Sequence, residues 1–549
     1  MSSTSSTHDL IVMGGGLAGL TLALQLRERL PEINVLVLER HAHPVPEACH
    51  KVGESTVEIG AHYFANVLGL KQHLMHKQLK KFGFRFFFSE GRSDFESVTE
   101  LGASRPLPVG SWQIDRGIFE NFLGEEVQRR GIRFIDNALV RELNLAPEND
   151  PAAPHVVRWQ RPGQEMQTAR ARWVIDACGR ASLIKRKLRL ARQNAHAVHA
   201  VWFRIDSRIM PDEWSQDPAW RSRCDTPTRW LSTNHLVGAG YWVWLIPLAS
   251  GSHSVGIVAD PRWHRLETMN TFERAMQWLQ EFQPRLYTEL DGKRDKLQDF
   301  AFFRRFSYDC TQVFSDRRWA LAGESGRFLD PFYSPGSDFI AIGNTYITEL
   351  VARDLSGQSI RLHTQVYEQV FRSFYENTLA LYVDQYGLFG DPEVLPLKVF
   401  WDYAYYWGVL AKLFYHEGLT DLAVLSQLGD ELGSTQQLNL AMQTFLRQMS
   451  QHSEKRNRPI MLDQASLPWF AELNRSLIEV QHDVPFRQKL RASAVLLRRL
   501  ATEVMDRSSV LYPALDNHAL QAALTAAGGA VRGGESLLFP VLAEDAVVS

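Results

Sequence analysis

A chain of 549 residues is too long for one simple core and predicts two or three packed units. Hydrophobic residues make up 45%, charged residues 22%, and the formal net charge is −2. That balance excludes a disordered chain and argues against a nucleic-acid partner. Four well-separated cysteines (Cys49, Cys178, Cys224, Cys310) form no CxxC pair, and histidines such as His41/His43 and His196/His199 lack HExxH-type spacing, so neither a disulfide framework nor a metal site is expected. No run reaches the ~18 uncharged apolar residues of a membrane span, and the start lacks signal-peptide character. A cytoplasmic protein without a membrane partner is the expectation.

The first predicted element, "HDLIVMGGGLAGLTLALQLRERL", reads as an apolar strand, a glycine turn and an amphipathic helix, and "INVLVLER" follows as a second strand. Gly14, Gly16 and Gly19 form GxGxxG at the strand–helix junction. The first allows the tight turn, the second lets backbone approach a pyrophosphate, and the third packs helix on strand. Leu17 and Ala18 open the helix, whose N-terminus favours phosphate. Glu39, twenty residues after Gly19 with Arg40 beside it, stands where an acid reaches a ribose hydroxyl. FAD and NAD share this fingerprint, so it does not choose between them.

From about Phe82 to Ala259, β-rich runs recur ("FRFFF", "RWVIDACG", "AVWFRID", "YWVWLIPL", "HSVGIVA"), as in a sheet domain inserted into a nucleotide-binding frame. In "LKKFGFRFFF", Leu79 to Phe88, alternation puts Lys81, Gly83 and Arg85 on one face, with the glycine leaving room, and Phe82, Phe84, Phe86 and Phe88 on the other. The strand "RRWALAGES" precedes a helix predicted from about Gly336 to Leu355. Beyond it the periodicity is helical, and the tail "AAGGAVRGGES" reads as a flexible turn or frayed end.

Several of these segments match family motifs. "QIDRGIFENFL" resembles the flavoprotein monooxygenase segment whose arginine, here Arg116, lies near the flavin. "VIDACGRASLIKR", with Asp176, is similar to DAxGRxS. "LAGESGRFLDP", with Gly323, resembles the segment that holds ribitol and ring, although Glu324 stands where aspartate is usual. Trp242-x-Trp244-x-Ile246-Pro247 matches WxWxIP of flavin-dependent halogenases, while two tryptophans on one face also suit an ordinary strand. "FLDPFYSPG" has the Phe328, Pro331, Ser334 and Gly336 of F-x-x-P-x-x-S-x-G, and "HKVGESTVEIGAHYFANVLGL" resembles an early VGES/T segment. No second GxGxxG follows a strand.

On these residues the chain, from Gly14 to about Thr345, resembles the flavin-dependent halogenases of the flavoprotein monooxygenase superfamily. The resemblance implies an α/β fold. A Rossmann-type FAD-binding domain would occupy 1–80, 111–185 and 309–350, with a sheet segment at 81–110, a substrate-side β-sheet domain at 186–308 and a helical C-terminal domain at 351–549. It implies FAD, used as FADH2 from a separate NAD(P)H-dependent flavin reductase, and a flavin C4a-hydroperoxide that chloride or bromide attacks to give HOX. An essential lysine would receive HOX at the end of a passage. The K-x-G pattern assigns that role to Lys81, with Lys80 a solvated neighbour and a one-residue register slip exchanging the two. Trp242, Trp244 and Pro247 would line or shield the passage.

Ser334, Pro335 and Gly336, with Ser337 beside them, would form the halide loop. Proline has no N–H, so Gly336 and Ser337 would be the donors. Tyr333 replaces the glutamate of tryptophan halogenases, which implies an electron-rich aromatic substrate such as a phenol, free or tethered to an acyl carrier protein. The aromatic run Phe400–Tyr415 could wall that site or pack as helical core. A monomer or homodimer is expected. The competing readings are an aromatic hydroxylase and an FAD-binding protein without catalysis.

Overall fold

A computed structural model describes residues 5–47, 53–150, 152–479 and 485–539. Cys49 and the His50–Val52 start of the VGES-like segment lie outside the described residues. Contacts divide the chain into two units. One comprises 1–78, 114–195 and 307–373, the other 79–113, 196–306 and 374–549. The C-terminal helices from Phe374 onward therefore group with the sheet segments, where the sequence reading set 351–549 apart.

The first unit is built on a mainly parallel sheet. Its strands run in the order Phe314–Ser315, Trp319–Leu321, Gln167–Asp176, Ser5–Met13, Val35–Leu38 and Arg133–Ile135, and an antiparallel hairpin (Leu139–Asn144, His155–Gln160) extends it beside Gln167–Asp176. Leu10, Ile11, Val12 and Met13 are completely buried, as expected of a central strand covered on both faces. "RWVIDACG", one of the β-rich runs and lying within 111–185, is the immediate parallel neighbour of the first strand, with Met13 opposite Asp176. The helix Gly336–Leu355 forms over the predicted residues and packs on Leu17–Arg29.

In the second unit an eight-stranded sheet has the order Leu297–Phe303, His199–Ile205, His253–Ala259, Tyr241–Pro247, Thr233–Gly238, Phe84–Phe87, Glu100–Gly102, Met461–Asp463. One face carries a core that includes Phe87, Phe203, Val243, Leu245, Val255 and Trp278. Met461–Asp463, inside the stretch read as helical, pairs parallel with Glu100–Gly102. The Gly-rich tail is tied down and not frayed: the Arg498 guanidinium donates to the Gly528 carbonyl at 2.6 Å, Arg499 donates to Glu535, and the Trp469 indole donates to Leu537 at 2.8 Å. Among the described residues, no helix is long and apolar enough to cross a membrane, and no three His, Cys, Asp or Glu side chains gather as a metal site requires.

Candidate active site

In the first unit the three fingerprint glycines do three different things. Gly14 has φ +114°, and a Cβ there would lie 2.2 Å from the Ala177 carbonyl oxygen, so only glycine completes the turn. A Cβ on Gly19 would sit 2.0 Å from the Gly14 carbonyl oxygen, so this position fixes how closely helix meets strand. Gly16 has an ordinary φ of −86°, and its added Cβ would meet nothing within 4 Å. The fold does not need that glycine, which leaves room for a ligand's phosphates. The helix that it caps begins at Leu17 and has no acid in its first turn, so no acid of the helix itself opposes an anion at its N–H groups.

Glu39 is aimed at the same loop. One carboxylate oxygen accepts from the Gly15 amide at 2.6 Å and the other from the His41 amide at 2.8 Å. The residues thus fit a dinucleotide such as FAD. Gly16→Ala is expected to leave the melting temperature within about 2 °C of wild type while weakening FAD binding about tenfold or more, read by flavin fluorescence. An equal loss of both would contradict the assignment.

The remaining predicted cofactor residues are placed unequally. Gly323 has φ +55° and approaches Ala18 so closely that a Cβ would lie 2.9 Å from the Ala18 methyl, which brings the late segment onto the first helical turn. Glu324 faces outward, 3.8 Å from the Arg180 guanidinium. The Asp176 carboxylate accepts from the amides of Cys178 at 3.1 Å and Ile184 at 2.7 Å. It therefore orders its own turn, and burial raises its pKa above the ordinary value. Arg116 pairs with Glu120 at 2.6 Å and reaches the Gly53 carbonyl at 3.4 Å. Arg40 is exposed and bonds His41 at 3.0 Å.

Pro335 caps the Gly336 helix. Ser334 just before it has φ +52°, a left-handed conformation that costs energy for serine, as backbone does at many functional turns. The first amide here to meet a helical carbonyl is that of Phe339, onto Pro335 at 3.1 Å, so the amides of Gly336, Ser337 and Asp338 precede the helical ladder. Asp338 accepts from the Gly60 amide at 2.8 Å. Gly60 also makes room for Ser337: its Cβ would lie 2.3 Å from the Ser337 hydroxyl, which is buried without a hydrogen-bond partner among the described residues.

In the second unit, Leu79–Lys81 pairs antiparallel with Ser111–Gln113, and Lys81 lies opposite Ser111. The chain then jogs. The Phe82 amide donates to Leu231 at 3.0 Å, the Gly83 carbonyl accepts from Thr233 at 3.0 Å, and Phe84–Phe87 pairs parallel with Thr233–Gly238. Gly83 sits at φ +86°, where a Cβ would meet nothing within 4 Å, so this glycine supplies a backbone conformation and not space.

The jog breaks the expected alternation. Lys81 is 5% exposed and its Nζ lies 3.5 Å from the centre of the Phe84 ring, although the two were assigned opposite faces. Arg85, assigned to the Lys81 face, is fully buried in an ion cluster. There it pairs with Glu100, which also accepts from Arg229 at 2.9 Å and lies 3.6 Å from Arg223. Lys80, next to Lys81, is exposed.

Sequence reasoning missed the aromatic surroundings of Lys81. The Phe84 ring lies 5.3 Å from His235 and 6.1 Å from Tyr403, and His235 stacks on Phe86 at 4.6 Å and meets Trp242 at 5.2 Å. Trp242 donates its indole N–H to the Tyr386 hydroxyl at 3.0 Å, and Trp244 donates to Ser254 at 3.1 Å. Lys81 and the WxWxIP strand are thus joined by a run of rings across three neighbouring strands. Pro247 closes that strand opposite His253. Of the Phe400–Tyr415 run, Tyr403 reaches Phe84, whereas Phe400 and Trp407 pack on Phe470 as core. A π-helical turn, Tyr406–Ala411, follows directly, a feature common beside functional sites.

Comparison with known proteins agrees with this geometry in two steps. Residues 7–252 match the FAD binding domain family, in keeping with the glycine cradle. Among curated proteins the chain is similar to flavin-dependent halogenases. It is 24% identical over 435 residues to the flavin-dependent halogenase chlA of Dictyostelium discoideum, covering 74% of this chain and 70% of the relative. It is also 24% identical over 406 residues to the flavin-dependent halogenase armH2 of Armillaria mellea, covering 69% and 72%. In fold it is similar to the halogenase PltM solved with phloroglucinol and FAD, with a TM-score of 0.64, 17% identity, and coverage of 89% of this chain and 95% of that one. The motif resemblance to flavin-dependent halogenases therefore holds.

Proposed function

We propose that the protein is an FADH2- and O2-dependent halogenase that chlorinates or brominates an electron-rich aromatic compound, with Lys81 as its catalytic residue. The observation that carries this reading is the Lys81 ammonium, buried at 5% exposure against the Phe84 ring and joined through His235 to Trp242. An ordinary surface lysine would not be spent there. Reduced FAD, when bound, supplies the two electrons for the overall change O2 + X⁻ + FADH2 + H⁺ → HOX + FAD + H2O. Gly14, Gly16, Gly19 and Glu39 would hold it, and a separate flavin reductase would supply it. The unladdered amides of Gly336 and Ser337 would hold the halide at a positive helix end.

Lys81 then either hydrogen-bonds HOX or, as the free amine, is halogenated by it with loss of water. In the second case the halogen passes from nitrogen to an arene carbon, and the arene proton returns to the amine. The aromatic wall of Phe84, Tyr403 and His235 suits a planar ring, and the likeness to a halogenase solved with phloroglucinol supports a phenolic one, free or carrier-bound. The test supplies the protein with FADH2, air, bromide and a panel of phenols. The expected product shows the paired mass peaks of bromine, and a bromine-free hydroxylated product formed equally without halide would overturn the reading.

A further inference from the structure

From Ala177 to Ala195 the sequence contains no aspartate or glutamate, yet it carries Arg180, Lys185, Arg186, Lys187, Arg189 and Arg192, in a chain whose net charge is −2. Two of these are engaged: Arg180 faces Glu324 at 3.8 Å, and Lys185 is buried, donating to the Gly326 carbonyl at 3.1 Å. The other four are exposed. Arg192 lies 3.9 Å from Asp309, but that carboxylate is held by Arg327 at 2.7 Å. Glu142, within electrostatic range of Lys187, is paired with Arg158 at 3.0 Å. Among the described residues the positive charge is therefore left over.

Its place in the fold gives it a target. The Leu183–Lys187 helix starts where the Ile184 amide binds Asp176, at the carboxyl end of a strand whose parallel neighbour ends in the Gly14–Gly19 loop. In open parallel sheets that end is where nucleotides bind.

We propose that Arg186, Lys187, Arg189 and Arg192 form an electrostatic capture surface for the dianionic pyrophosphate of free FAD and FADH2, raising the association rate without contacting the bound cofactor. This rests on the FAD reading above. Capture speed matters because free FADH2 reacts with O2 in solution to give FAD and H2O2, and reduced flavin lost in that way halogenates nothing. Exposed charges of one sign beside a site raise on-rates by roughly 10–10³-fold at low salt, and the effect fades as the Debye length shrinks from ~30 Å at 0.01 M to ~3 Å at 1 M salt.

The experiment is stopped-flow binding of oxidised FAD, followed by flavin fluorescence across that salt range, for wild type and R186E/K187E/R189E/R192E, with a glutamine set at the same positions as a milder variant. The association rate is expected to fall about tenfold or more at low salt in the glutamate variant and less in the glutamine variant. Salt dependence should flatten, while the dissociation rate and melting temperature stay unchanged. An unchanged association rate in both variants overturns the capture surface while leaving FAD binding intact. A faster dissociation with unchanged association overturns it too, because the residues would then be direct contacts. Failure of wild type to bind FAD would sink the underlying reading first.

Discussion

Replacing Lys81 with alanine is expected to cut halogenated product about 10³-fold, within the 10²–10⁴ range for loss of a positioned proton-handling group, while oxidation of FADH2 continues at the wild-type rate. The split follows from where the residue sits. Lys81 lies against Phe84 and is not among the residues that form the glycine cradle, so FADH2 oxidation serves as the control for cofactor binding. Lys80→Ala, at the exposed neighbour, is expected to change product formation less than twofold. Product mass and oxygen uptake, measured together, check both. Equal losses from the two alanine variants would mean that the pair serves only the surface.

The second large effect is structural. Glu100 is completely buried and shared by Arg85 and Arg229, with Arg223 at 3.6 Å. Removing its charge by Glu100→Gln strands those guanidinium groups away from water, which costs about 3–5 kcal/mol for a buried pair that loses one partner. Denaturant melts should show the loss as a cooperative shift of the second unit's transition. The pH dependence has a definite sign. Burial opposes ionisation of Glu100, but Arg85 and Arg229 overcome it and hold the carboxyl below its ordinary 4.5. A lowered folded pKa stabilises the fold above the unfolded value, and that contribution is lost as pH falls through the folded one. Wild type should therefore lose stability steeply below about pH 4.5, and Glu100→Gln less steeply.

What the sequence disclosed was local. The glycine fingerprint states its own geometry, because turn, approach and packing each need a missing Cβ within six residues. The Gly336 helix was legible for a similar reason: Pro335 and Gly336 punctuate its start and apolar periodicity carries it to Leu355. The neighbours of Lys81 were hidden because its surroundings are assembled from afar. His235 arrives on an adjacent strand and Tyr403 from more than 300 residues downstream, and neither position carries a local signal. The alternation rule failed at Lys81 for a physical reason. Period-two faces hold only along one continuous strand, and Gly83 at φ +86° hands the chain from one partner strand to another. Asp176 shows the opposite limit, a motif residue whose carboxylate is spent on its own turn.

Oxygen labelling tests the central claim most directly. With ¹⁸O2, bromide, FADH2 and a phenolic substrate, the product is expected to carry bromine and no ¹⁸O, since one oxygen atom leaves as water when the halide is oxidised and the other when HOX gives up its halogen. A product that carries ¹⁸O in place of bromine would contradict the account and make the protein a hydroxylase.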